Sequence, residues 1–185
     1  MTRRSAAIAA ILILAATAAI LLTMGRNPIC TCAAVDLWVG ARDSPRTSQM
    51  LVDWYSLSHI VHGLLFYAAL WLVARRWPVE WRFVAALAIE ASWEVIENTP
   101  MVIDRYRETT AALGYTGDTV INSVSDIAMM CVGFLAARRL PVWAAVALLV
   151  VLEIVPLFVI RDNLALNIWT LLAPNAAVQA WQAGG

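Results

Sequence analysis

Five apolar stretches, at about 6–24, 56–74, 79–98, 119–137 and 141–160, dominate the chain. Each is close to the ~20 residues that an α-helix needs to cross ~30 Å of hydrocarbon. Such stretches leave the backbone few options, because in lipid every peptide N–H and C=O must find its partner inside the protein, and a helix does this within one segment. The expected fold is therefore all-α, an integral membrane helical bundle of about five transmembrane helices. Composition agrees, since 62% of the 185 residues are hydrophobic and mean hydropathy is +0.73, too apolar for an ordinary soluble domain of this length.

The arginines orient the bundle. All 13 basic residues are arginine, and the pairs Arg3/Arg4, Arg75/Arg76 and Arg138/Arg139 fall on one side of a five-span topology, which predicts a cytoplasmic N-terminus. Segments 25–55, 99–118 and 161–185 then lie outside, where Trp54, Tyr55, Trp169 and Trp181 suit a lipid interface. The chain reads as one membrane domain over 1–185: an anchor helix at 6–24, a four-helix core at 56–160 and a periplasmic interfacial tail at 161–185. The anchor is expected to stay uncleaved, because its apolar run is long for a signal peptide and no small-x-small site follows Met24. Within the tail, 164–173 is too short to span. No basic stripe exists to neutralise phosphates, so nucleic acid is not an expected partner.

Two local patterns stay open at this level. The inner turns Ala74-Arg75-Arg76-Trp77-Pro78-Val79 and Ala137-Arg138-Arg139-Leu140-Pro141-Val142 are alike at an offset of 63 residues, which also sets Glu90 on Glu153. Either two helical hairpins form a parallel pseudo-repeat, or positive-inside turns simply resemble one another. Cys30 and Cys32 are separated by one residue, a spacing expected to strain a disulfide, so they read as a reduced pair, a partner for another chain, a metal-ligand pair or two small loop residues.

Ionisable residues inside membrane spans are costly and mark candidate sites. Helix two carries His59 and His62 at i, i+3, and helix three carries Glu90, Glu94 and Glu97 at i, i+4, i+7, each set on one helical face. Helix four adds Asp118, Asn122 and Asp126, and helix five adds Glu153. Counting ~1.5 Å per residue from the inner turns puts His62, Glu90, Asp126 and Glu153 at roughly 18 to 21 Å, and His59, Glu94 and Asn122 at roughly 24 to 26 Å. Glu97 and Asp118 come nearer the outer surface. Three carboxylates at one depth cannot all stay charged in a low dielectric. A metal ion, shared protons, or arginines reaching in from Arg105, Arg107 or Arg161 must compensate. Imidazole and carboxylate suit a divalent metal such as zinc, and helical bundles host such centres. His59, His62, Glu94 and Asp126 are the candidate ligands; Glu90, Glu94 and Asp126 are the candidate catalytic carboxylates. The run Asp104-Arg105-Tyr106-Arg107-Glu108 reads as a solvated, self-paired segment or as a binder of an anionic head group.

The segments Glu90-Ala91-Ser92-Trp93-Glu94-Val95-Ile96-Glu97-Asn98 and Gly117-Asp118-Thr119-Val120-Ile121-Asn122-Ser123-Val124-Ser125-Asp126 resemble those of domain-of-unknown-function family 2585, an uncharacterised family of bacterial inner-membrane proteins. The resemblance extends to Pro28-Ile29-Cys30-Thr31-Cys32, Ser58-His59-Ile60-Val61-His62-Gly63 and Arg161-Asp162-Asn163-Leu164. It implies a multi-pass protein of the bacterial plasma membrane and carries no activity, cofactor or catalytic residue with it. Three functions compete. One is a metal-dependent membrane hydrolase or transferase acting on a lipid-linked substrate from the outer side. A second is a non-catalytic accessory or assembly factor of a membrane complex, its partner a membrane protein. A third is a proton or ion relay, disfavoured because the inner leaflet is nearly free of titratable residues.

Overall fold

A computed structural model describes residues 3–41, 44–110 and 114–184. Among these residues there are eight helices: α1 (Arg3–Thr23), α2 (Ser56–Val73), α3 (Val79–Glu97), α4 (Pro100–Thr109), α5 (Val120–Arg139), α6 (Val142–Val159), α7 (Leu164–Leu172) and α8 (Ala176–Ala183). Four of them, α1, α2, α5 and α6, are long and apolar enough to cross a membrane. The fifth stretch of the expected set forms α3, which is 19 residues long but carries Glu80, Arg82, Glu90, Glu94 and Glu97, and so falls short of that composition. The expectation of a purely helical chain needs one small correction. The segment between α1 and α2 holds two short parallel strands, β1 (Trp38–Val39) and β2 (Val52–Asp53), with Trp38 opposite Val52 and Val39 opposite Asp53.

The bundle is built on α2 and α5. Gly63 and Gly133 face each other at their crossing, and a Cβ on either would collide with main chain: Met130 and Phe134 in the first case, Ile60 in the second. Small residues let two helices approach this closely, and close approach multiplies van der Waals contact where lipid offers no hydrophobic drive. Ser56 meets Asp126, and further along Tyr67 meets Phe134 at 5.1 Å between ring centroids, so α2 and α5 run parallel. His59 meets Glu94 while Tyr67 lies near Arg82, so α3 runs the other way. Ala86, Leu87, Ala91, Ile127, Met130 and Phe134 form the core between α3 and α5, and Ala10, Ile13 and Leu14 of α1 pack onto it. By contrast α6 lies against α2 with Val142 81% and Phe158 80% exposed. A helix apolar all round and so little covered by protein is suited to face lipid.

The polar end is closed by the connections. Thr119 caps α5 by accepting from the Asn122 N–H at 3.3 Å. The strands and the 25–55 segment are tied to the same helix start through Val120 N–H to Asn27 O at 2.9 Å and Thr119 N–H to Ser48 O at 3.1 Å. Across from them, α4 is braced to α7 by Arg105, whose guanidinium donates twice to the Leu171 carbonyl at 3.0 and 2.8 Å. Cys30 and Cys32 are joined to each other in a disulfide, contrary to the expectation that their spacing disfavours such a bond. Ala33 adopts a left-handed φ of 55° and returns its N–H to the Cys30 carbonyl at 3.0 Å. That tight turn brings the two Cα atoms to 5.1 Å, within the span a disulfide bridges.

A histidine and carboxylate centre beneath a pocket

Two helical repeats create the centre. The i, i+3 spacing of His59 and His62 puts both imidazoles on the face of α2 that meets α3, where Glu90 and Glu94 stand one turn apart. Glu90 lies between the rings, with Oε1 2.5 Å from His59 Nδ1 and both oxygens 3.1 Å from His62 Nδ1. Glu94 Oε1 is 3.5 Å from the same His59 nitrogen. The other ring nitrogen of His59, Nε2, faces Asp126 of α5 at 3.8 Å. His59, Glu90, Glu94 and Asp126 are all buried, Glu90 and Glu94 completely.

Ligand atoms of His59, His62 and Glu90 all lie within 4.8 Å of one another, as do those of His59, Glu94 and Glu97. Tetrahedral zinc with N and O ligands near 2.0 to 2.1 Å sets its ligand atoms about 3.3 Å apart. In the first group Glu90 stands 2.5 Å from His59 Nδ1 and 3.1 Å from His62 Nδ1, slightly inside that spacing. The grouping differs from the expected ligand set. Glu90 occupies the position between the imidazoles, Glu97 joins a group, and Asp126 stands behind His59. Neither oxygen of Glu94 has a hydrogen-bond donor. A buried carboxylate without donors is costly unless a cation or a proton accompanies it.

Asp126 is held by residues that the sequence pattern did not single out. Its Oδ1 accepts from Ser56 Oγ at 2.5 Å. Ser56 Oγ in turn accepts from the Asp53 N–H at 3.2 Å, while Asp53 Oδ1 accepts from the Ser56 N–H at 3.4 Å. This reciprocal pairing at the start of α2 works like a capping box. Asp53 also accepts from the N–H groups of Ser48 and Tyr55 at 2.6 and 2.8 Å. Burial still pushes its carboxyl above the usual aspartate range, against those backbone bonds. Asp118 lies beyond, accepting from Asn98 Nδ2 at 2.8 Å and Tyr115 OH at 3.0 Å. Burial raises its carboxyl to about 6.

Other expected members do different work. Asn122 donates to the Met50 carbonyl at 2.9 Å and fastens the outer segment. Glu153 does not join the deep layer, because its two oxygens accept from the N–H groups of Leu164 and Ala165 at 3.2 and 3.0 Å, on the positive end of α7. No arginine of the expected three compensates the carboxylates: Arg105 binds the Leu171 carbonyl, Arg107 that of Tyr115 at 2.6 Å and Arg161 that of Trp181 at 2.7 Å. Each is drawn to a carbonyl at a loop or helix end, where partial negative charge gathers.

A cavity of about 170 Å³ opens against the centre. His59, His62, Glu97, Asp118 and Asp126 give it a polar side, Tyr106 and Tyr115 a mixed one, and Trp93, Ile168 and Leu171 an apolar side. Tyr106 OH donates to Asn167 Oδ1 at 3.1 Å, so α4 and α7 together form its roof.

The profile of the family described as protein of unknown function (DUF2585) matches residues 21–184. Named relatives are similarly uncharacterised. The chain is 51% identical over 183 residues to a UPF0314 protein of Paracoccus denitrificans, covering 98% of this chain and 95% of the relative. It is 50% identical over 175 residues to one of Sphingopyxis alaskensis, covering 94% and 92%, and 48% identical over 163 residues to one of Agrobacterium fabrum, covering 88% and 82%. No solved structure matches the chain. With a profile match over nearly its whole length and half-identical bacterial relatives, the chain belongs to the uncharacterised DUF2585/UPF0314 family of bacterial proteins.

Proposed function

We propose that this protein is a five-span bacterial plasma-membrane hydrolase or transferase that binds a divalent metal beneath an outward-facing pocket and acts on a lipid-linked substrate. The observation that carries the reading is the meeting of His59, His62 and Glu90 beside a cavity, with the donorless Glu94 carboxylate next to them. His59, His62 and Glu90 would hold the ion, and Asp126 behind His59 is the carboxylate partner that metal-bound imidazoles commonly have. The ion would polarise a carbonyl or phosphoryl oxygen and sharpen a bound water. Glu94 is then within reach to take the proton of that water. The fifth span is α3, whose Glu90 and Glu94 are turned into the bundle and fully covered. A 19-residue helix is long enough to cross. Pairing of Arg3 with Glu80 at 3.1 Å groups the N-terminus with the inner turns and supports the cytoplasmic orientation.

The experiment is elemental analysis of detergent-purified protein. About one equivalent of zinc, iron or manganese per chain is expected, lost in His59→Ala/His62→Ala protein that remains monodisperse and helical. Metal-free wild type whose melting temperature is unmoved by any of these ions would remove the reading. One observation favours a second reading, that of a metal-free accessory factor: Glu90 and the two imidazoles already satisfy one another at 2.5 to 3.1 Å. In that case a stoichiometric membrane-protein partner should co-purify from native membranes while bound metal is absent.

A further inference from the structure

The cavity has a lopsided chemistry. Its polar side presents Glu97, Asp118 and Asp126 beside two histidines, and among the described residues no arginine lines it, in a chain without a single lysine. Arg26, Arg105, Arg107 and Arg161 each donate to a backbone carbonyl, Arg26 to that of Thr116 at 2.7 Å, and Arg46 pairs with Asp36. Three carboxylates therefore border the space with no described arginine beside them. Independently of the carboxylates on the wall, Glu94 stands fully buried with both oxygens unsatisfied, within 4.8 Å of ligand atoms of His59 and Glu97 that face the space. Opposite, Trp93 of α3 and Ile168 and Leu171 of α7 make an apolar flank, and Ile168 is 46% exposed at its rim.

Size narrows the occupant. A volume of about 170 Å³ is close to the ~150 Å³ cavity that admits one benzene molecule, so a small head group fits and a whole lipid does not. We propose that the pocket receives the amine-bearing head group of an amphiphile, with its alkyl chain leaving between α3 and α7 past Trp93, Ile168 and Leu171. An ammonium carries three donors and no acceptor, the complement of a wall rich in carboxylate oxygens. A bare anionic head would instead meet like charge in a poorly solvated space. The inference deepens the proposed function by naming a substrate class, and rests on that reading's outward-facing pocket.

Octylammonium, octyl phosphate and octanol share one chain and differ in the head, so titrating each below its micellar concentration into purified protein isolates head-group choice. Octylammonium is expected to bind saturably and at least tenfold more tightly than either of the others. Asp118→Asn removes the charge and leaves one oxygen to accept from either Asn98 or Tyr115, and should weaken octylammonium about tenfold, leaving octanol unchanged. Leu171→Ala should weaken all three alike. Equal or preferred binding of octyl phosphate, or an Asp118→Asn protein of unchanged melting temperature that still binds octylammonium fully, would overturn the inference. Metal content measured on the same samples separates the two readings. A loaded metal with octyl phosphate preferred removes this inference alone, and selective octylammonium binding by a metal-free chain removes the metal alone.

Discussion

Asp162 shows how strongly one buried carboxyl can write itself into stability. It is fully buried between α6 and α7, accepts from the Asn163 N–H at 2.9 Å and from Tyr55 OH at 3.4 Å, and faces Glu153 and Asn167 as well. Burial outweighs those bonds and raises its carboxyl from 3.8 to about 6. An acid with a raised folded-state pKa favours the fold fully below pH 3.8 and loses that contribution as pH climbs through about 6. Asp162→Asn should abolish this slope, so the variant's melting temperature should rise relative to wild type between pH 5 and pH 8, by the equivalent of about 1 to 2 kcal/mol. A difference that stays flat or shrinks would mean that the carboxylate is tolerated ionised. At this scale the sequence was readable where a period applies. His59, His62, Glu90 and Glu94 announce shared helical faces, and those faces meet. Asp53 and Ser56 were missed because they stand at and before the first turn of α2, where no apolar period yet runs. Their i, i+3 spacing, the spacing of a reciprocal cap, is the signal that could have found them.

Between elements, the contact with least slack is the crossing of α2 and α5. Gly63→Leu must push Met130 and Phe134 main chain aside, and overpacking of this kind costs about 3 kcal/mol. A matching loss of thermal stability in detergent is expected, whereas Gly114→Ala, whose added carbon meets open space, should melt with wild type. Gly63→Leu protein as stable as wild type would mean that the helices do not touch there. The hairpin likeness at an offset of 63 residues is one of sequence. It does not extend to the chemistry, since Glu90 sits between imidazoles while Glu153 holds the start of α7. Counting rise along a helix fixes height but not direction around its axis, which is why depth alone grouped Glu153 with the centre. The short α4, α7 and α8 were equally hard to foresee, because their making depends on contacts such as that of Arg105 with Leu171 rather than on a long apolar run.

Over the whole molecule, the number of crossings turns on α3. An odd number puts the two ends of the chain on opposite sides. Alkaline phosphatase joined after Gly185 should therefore be active, because it matures only in the oxidising periplasm, and the same enzyme placed at Arg76 or Arg139 should be silent. Activity at the inner turns and silence at the C-terminus would invert the orientation and take the outward-facing pocket with it. The bond between Cys30 and Cys32 has a practical corollary for such work. Thiols in the cytosol are kept reduced, so in the proposed orientation a chain acquires this bond only after its 25–55 segment has been delivered across the bilayer. Intact-mass measurement, sensitive to the loss of about two daltons on oxidation, can thus sort delivered copies from stalled ones in any preparation, with no tag added and the remaining thiol, Cys131, as an internal reference.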